Sequence, residues 1–170
     1  SASACMRANA SGTLFHSSRW DHAHDLRGER VAVIGTGASA IQFVPEIQPL
    51  VSKLHLYQRT PQWILPKPDA EMPGLSRSLL RLPFAKDAFR FALYEGFETL
   101  GYGFRNPEWL ERAEALARAH LRRQVPDAEK RKKLEPDYVL GCKRVLLSND
   151  YYPAVAKPNV ELLATGVREV

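Results

Sequence analysis

Val31 to Ile34 is a short apolar run that ends at Gly35, the pattern of a strand buried in a parallel sheet. A helix is predicted to begin at Ala38. Ala40, Val44, Ile47 and Val51 recur at helical spacing and give it one buried face. Pro45 falls inside that helix, where its ring removes a backbone donor, so a kink or an altered first turn is expected. Leu54 and Leu56 then alternate with His55 and Tyr57, the period of a second strand. Strand, turn, helix and strand follow within about thirty residues, the size of one βαβ unit.

Four prolines and a glycine between Thr60 and Gly74 predict a loop or extended connection. Helical character follows over Ser76–Arg105, rich in Leu, Phe and Tyr, and over Pro107–Lys133, rich in Leu, Ala, Arg and Glu. Asn106-Pro107-Glu108 reads as a helix start, with Asn106 as the N-cap and Pro107 in the first position. Another break comes at Glu135–Gly141. Val160–Leu163 reads as a strand, and Val167–Val170 as the beginning of another. The expected fold is α/β: a Rossmann-like dinucleotide-binding domain with a helical insertion. Residues 1–29 form a linker, 30–70 and 136–170 the core, and 71–135 the insertion.

Composition narrows the class. The chain has 170 residues, 45% of them apolar, which suits one domain with a real core. A net charge of +5 is mildly basic; it favours an anionic ligand, or reflects a solvated Arg-rich surface. Cys5 and Cys142 lie far apart and suggest no disulfide framework, so a cytoplasmic location is expected. There is no apolar run of transmembrane length and no signal peptide, so no membrane partner is expected. His22 and His24 lack companions at metal-binding spacing, and no metal is assigned. The basic run within Glu129–Glu135 is flanked by acids in a helical pattern. It reads as a solvated face rather than a nucleic-acid contact.

Gly35-Thr36-Gly37-Ala38-Ser39-Ala40 matches G-x-G-x-x-A. The first glycine allows a tight turn out of the strand, the second lets backbone approach a pyrophosphate, and the last small residue lets helix and strand pack closely. The pyrophosphate would sit at the helix N-terminus, where free N–H groups and the dipole favour negative charge. A preceding strand and a following helix are the context this motif requires. At the end of the second strand an NAD site carries an acid for the ribose hydroxyls. This chain has Gln58-Arg59-Thr60 instead. Arg59 can pair with a 2′-phosphate through its planar fork and Thr60 can add a hydroxyl, so NADPH is expected rather than NADH. The alternative for Arg59 is a plain surface arginine at a strand end.

The flanks resemble the Baeyer–Villiger monooxygenases. Gly12, His16, Trp20 and Asp21 match the family fingerprint F-x-G-x-x-x-H-x-x-x-W-[PD] at the right spacing, although Ala10 stands where the leading Phe would be. The stretches Arg30–Asp69 and Gly141–Pro153 are also similar to that family. Trp20 separates the pattern from the flavin-containing N- and S-oxygenases, which usually carry Tyr or Phe there.

The resemblance implies an enzyme that uses NADPH and FAD to insert oxygen into a ketone or aldehyde, giving an ester or lactone. It implies that Lys143 joins Arg59 and Thr60 at the 2′-phosphate. Arg144 corresponds to the arginine that reaches the flavin and nicotinamide, where a fixed guanidinium stabilises a developing anion. Gly12, His16, Trp20 and Asp21 would lie on the linker between the FAD and NADP domains; a simple hydrogen-bonded linker histidine is the other reading of His16. No second glycine turn for FAD is present, so the FAD domain is expected to be a missing partner and this chain to be inactive alone. A fragment of an N- or S-oxygenase, or of a disulfide reductase, and a non-catalytic NADP-binding module are the competing readings. The reductase is disfavoured by the lack of a redox cysteine pair.

Arg59 in place of an acid generates a direct prediction. A charge-assisted hydrogen bond contributes roughly 1.5–3 kcal/mol. Arg59→Ala should therefore weaken NADPH binding about ten- to a hundredfold and NADH binding little. Calorimetry with both nucleotides reads the difference; equal losses would remove the assignment.

Overall fold

The structure, a computed structural model, describes residues 12–69, 74, 78, 80–103 and 106–165. Strands β1 (Arg30–Ile34), β2 (Lys53–Tyr57) and β5 (Val160–Leu163) form a parallel sheet in the order β1-β2-β5. Helix α1 (Ala40–Ile47) connects β1 to β2. Its buried face is Ala40, Ile41, Val44 and Ile47, with Pro45 inside the helix. Val51 is buried as the spacing predicts, but it lies past the helix end, in a turn where its N–H still donates to the Ile47 carbonyl.

On β2 the side chains of Leu54 and Leu56 are buried while Lys53, His55 and Tyr57 on the other face are partly exposed, as period-two alternation demands. On that second face Lys53 pairs with Glu161 of β5 at 2.7 Å. The buried face packs on α1 and on helix α5 (Tyr151–Ala156), which contributes Tyr151, Tyr152 and Val155 to the core.

The helical region departs from a simple pair of helices. Helix α2 spans Pro83–Gly103 and exposes Phe84, Phe91 and Tyr94. Asn106 caps α3 (Pro107–Gln124) as expected, its side chain accepting from the Glu108 N–H. The helix expected to reach Lys133 breaks at Val125, and α4 (Ala128–Leu134) begins anew. Pro126 has no N–H to continue the ladder. Asp127 then caps α4 by accepting from Glu129 and Lys130 N–H groups at 2.8 and 3.2 Å. Those two bonds hold its carboxyl below the usual range. Leu121, Val125 and Leu134 reach the same apolar cluster as the sheet.

Two further differences concern short elements. The Thr60–Gly74 connection contains β3 (Ile64–Leu65), which pairs in parallel with β4 (Leu146–Leu147). Two residues are too few to show a period, so neither strand is visible in the sequence. Helix α5, of six residues, is also short. Its start is satisfied by the Ser148 hydroxyl, which accepts from the Tyr151 N–H at 3.1 Å. The strand expected at Val167–Val170 lies outside the described residues, as does the part of Ser76–Arg105 at residues 76, 77, 79, 104 and 105. Among the described residues no helix is long and apolar enough to cross a membrane.

The burial of Leu121, 4% exposed, against the solvent position of Phe84 predicts unequal costs. Leu121→Ala should destabilise the chain by about 2–5 kcal/mol, whereas Phe84→Ala should change stability by less than about 0.5 kcal/mol. Urea unfolding followed by circular dichroism measures both.

Candidate functional site

At the end of β1 the chain enters Gly35 with φ +101°, a region that side chains rarely adopt. The Gly35 N–H donates to the Tyr57 carbonyl at 2.9 Å, extending the β1–β2 ladder by one bond. A Cβ built on Gly37 meets no atom within 4 Å, so nothing in the protein itself demands glycine there. Thr36 is buried and Ala40 packs into the core, while Gly37, Ala38 and Ser39 are exposed. The Gly37 carbonyl accepts from Ile41, and the Ser39 carbonyl from Gln42 and Phe43. Ser39 makes no side-chain cap bond. The first N–H groups of a helix have no partner within the helix, and this end carries the positive end of the dipole.

β2 ends beside this turn. Ile34 and Tyr57 are register partners in a parallel pair, so the residues that follow each leave from the same sheet edge. Gln58 is buried; its N–H donates to the Leu163 carbonyl at 2.9 Å and its side-chain amide to the Lys133 carbonyl at 2.7 Å. With Gln58 anchored, Arg59 emerges exposed and Thr60 half-buried. The Gly35–Ala40 turn and Arg59–Thr60 are thus brought together.

Lys143 and Arg144 follow a turn at Gly141, φ +99°, and both are exposed. The Lys143 ammonium sits 4.4 Å from the centre of the Tyr138 ring. The Tyr138 hydroxyl donates to the Pro61 carbonyl at 3.0 Å, and the Trp63 indole N–H donates to the Tyr138 carbonyl at 2.8 Å. Burial pushes the Tyr138 hydroxyl above its ordinary pKa, which keeps it a neutral donor. Glu114 of α3 accepts from the Leu140 N–H at 2.9 Å. Arg118 pairs with Glu114 at 3.1 Å and lies 5.1 Å over the Trp63 ring. The basic loop is therefore fastened to the segment just beyond Thr60. Among the described residues Arg59, Lys143 and Arg144 make no ion pair.

Tyr138 is the residue that sequence reasoning missed. It stands between a proline and a glycine in a segment read only as a break, and nothing in that pattern signals a ring under a lysine.

The fingerprint residues precede β1, and one of them packs on α1. His16 Nδ1 accepts from the Ser18 N–H at 3.1 Å and from the Ser18 hydroxyl at 2.8 Å, which caps a short 3₁₀ turn, Ser17–Arg19. Asp21 accepts from the Ala23 N–H at 3.0 Å. Trp20 makes the long-range contact: its ring centroid is 5.4 Å from that of Phe43 on α1 and 5.1 Å from that of Phe15. Gly12 is exposed, with nothing within 4 Å of a Cβ placed on it. The contacts of His16 and Asp21 are local. Among the described residues no group of three His, Cys, Asp or Glu side chains can hold a metal ion.

No protein-family model matches the chain. A curated Baeyer–Villiger monooxygenase of Pseudomonas aeruginosa is 51% identical over 165 residues, covering 95% of this chain and 31% of that protein. A solved structure described as an oxidized steroid monooxygenase bound to NADP superposes with a TM-score of 0.68 at 25% identity, over 85% of this chain and 35% of the other. A second, described as an OTEMO complex with FAD and NADP, gives 0.67 at 27% identity, over 88% and 36%. The chain spans about a third of the length of the curated relatives it matches. Over that third the chain is similar in sequence to proteins named Baeyer–Villiger monooxygenase, and in fold to solved monooxygenases.

Proposed function

We propose that this chain is the NADPH-binding portion of an FAD-dependent monooxygenase that inserts oxygen into ketones or aldehydes to give esters or lactones. One observation carries the reading. The helix N-terminus after Gly35 and the Arg59–Thr60 segment, with Arg59 exposed, leave the same sheet edge, joined by the Gly35–Tyr57 hydrogen bond, and no carboxylate stands where an NAD site has one. The strand order and the βαβ start support a Rossmann-like core over 30–70 and 136–170, with 71–135 as a helical insertion.

The residues fit a dinucleotide. Gly35, Thr36, Gly37, Ala38, Ser39 and Ala40 would hold the pyrophosphate through backbone N–H groups, and the space beside Gly37 leaves room for it. Arg59, Thr60 and Lys143 would hold the 2′-phosphate; the cations among them make no ion pair among the described residues. Arg144 would place its guanidinium where negative charge develops on the reacting oxygen. Gly12, His16, Trp20 and Asp21 would connect this portion to the one that binds FAD, with Trp20 docked on α1 through Phe43. FAD, held mainly by residues outside this chain, supplies the oxygen-activating redox chemistry when bound. The exposed free thiol of Cys142 suits a reducing cytoplasm.

A side chain at Gly37 would fill the space meant for the phosphate without disturbing the fold. Gly37→Val should lose binding of both NADPH and NADH while its far-ultraviolet circular dichroism stays that of the wild type. A variant that binds normally would place the pyrophosphate elsewhere.

Arg144 separates binding from chemistry in the full-length enzyme. Arg144→Ala should bind NADPH as before, because the phosphate end is held by other residues. Ester formation should fall by on the order of a hundredfold. Gas chromatography of products beside stopped-flow flavin reduction distinguishes the two effects, and an unchanged ester yield would remove Arg144 from the mechanism.

A further inference from the structure

We propose that Tyr138 is a positioning residue for nucleotide selectivity: its ring is the platform that aims Lys143 toward the segment carrying Arg59 and Thr60. The proposal rests on the reading of Arg59, Thr60 and Lys143 as the 2′-phosphate site and deepens it.

Lys143 is exposed and belongs to a loop without regular structure. A lysine there has a flexible four-carbon stem and loses considerable rotamer freedom when it holds a ligand. The ring face, 4.4 Å from the ammonium, attracts that cation through its quadrupole and narrows the positions it visits before any ligand arrives. The platform is itself fixed from two sides. The hydroxyl donates to the Pro61 carbonyl at 3.0 Å, and the Tyr138 carbonyl accepts from the Trp63 indole at 2.8 Å. Pro61 lies two residues beyond Arg59, so the part of the chain that carries the arginine also holds the ring beneath the lysine. Glu114 completes the mounting by holding the Leu140 N–H at 2.9 Å, two residues after Tyr138. The consequence is a selectivity effect: the ring acts through Lys143, hence on a nucleotide with a 2′-phosphate and not on one without.

Calorimetric titration of the purified protein with NADPH and with NADH tests this in Tyr138→Leu, Tyr138→Phe, Lys143→Ala and the Leu/Ala double variant. Removing a cation–π contact at an exposed site corresponds to about a two- to fivefold change in affinity. Tyr138→Leu should weaken NADPH by that factor and leave NADH unchanged. Tyr138→Phe keeps the ring and should restore the NADPH preference. In the Lys143→Ala background Tyr138→Leu should cost nothing further, because the pair acts as a unit.

Equal losses for NADPH and NADH in Tyr138→Leu, loss of preference in Tyr138→Phe, or full additivity with Lys143→Ala would each overturn the proposal. Should the leucine variant not fold, the wild type decides. Its Lys143 ε-methylene protons should resonate upfield through the ring current and move on addition of NADPH but not NADH; a signal without that shift, or indifferent to NADPH, overturns the proposal. The underlying reading fails separately: a wild type without NADPH preference, unaltered by Arg59→Ala and Lys143→Ala, removes the phosphate site and this proposal with it. A preference that falls in those two variants but not in Tyr138→Leu removes the platform alone.

Discussion

The 2.9 Å hydrogen bond from the Gly35 N–H to the Tyr57 carbonyl is where the arrangement of this molecule originates. It continues the parallel ladder of β1 and β2 one residue past the strands, and it does so with Gly35 in a conformation that a side chain would strain. Parallel strands present all their C-terminal ends at one edge. The turn into α1 and the Arg59–Thr60 segment are therefore neighbours because of strand direction, not because of sequence proximity. Gln58 adds the second half of the constraint. Its buried amide and its N–H, bonded to Lys133 and Leu163, stop the chain from carrying Arg59 back over the sheet.

A second group of contacts attaches the basic loop to that edge. Trp63 is at its centre, 2% exposed, with Arg118 over its ring and its indole N–H on Tyr138. Helix α3 is thus structural support as well as connection: Glu114 holds Leu140, while Arg118 ties Glu114 to Glu135. Charge in this region is unevenly paired. Arg118 is matched by two carboxylates, while Arg59, Lys143 and Arg144 are matched by none among the described residues. That contrast is what a binding surface for an anion requires, since a paired arginine has already given its donors away.

Local patterns carried their information well. The β1–α1–β2 unit, the Asn106 cap and β5 follow from apolar period and capping chemistry, which act over a few residues. The glycine turn and Arg59–Thr60 stand out as candidates for the same reason: each is a pattern of residues consecutive in the chain. The broken helix at Pro126 shows the limit of that reading. Composition alone continued the helix to Lys133, and the proline together with the Asp127 cap ended it.

By itself the sequence marked the candidate residues: the glycines at 35 and 37, the arginine and threonine after β2, and the Lys143-Arg144 pair. The tertiary structure decided where that last pair sits. β3 and β4 are two residues each and pair across the intervening helices. Tyr138 finds Pro61 and Trp63 at separations of 77 and 75 residues. Such contacts leave no period and no motif, because each is made by a single side chain meeting a distant backbone. They exist only once the sheet edge, α3 and the loop have been packed together.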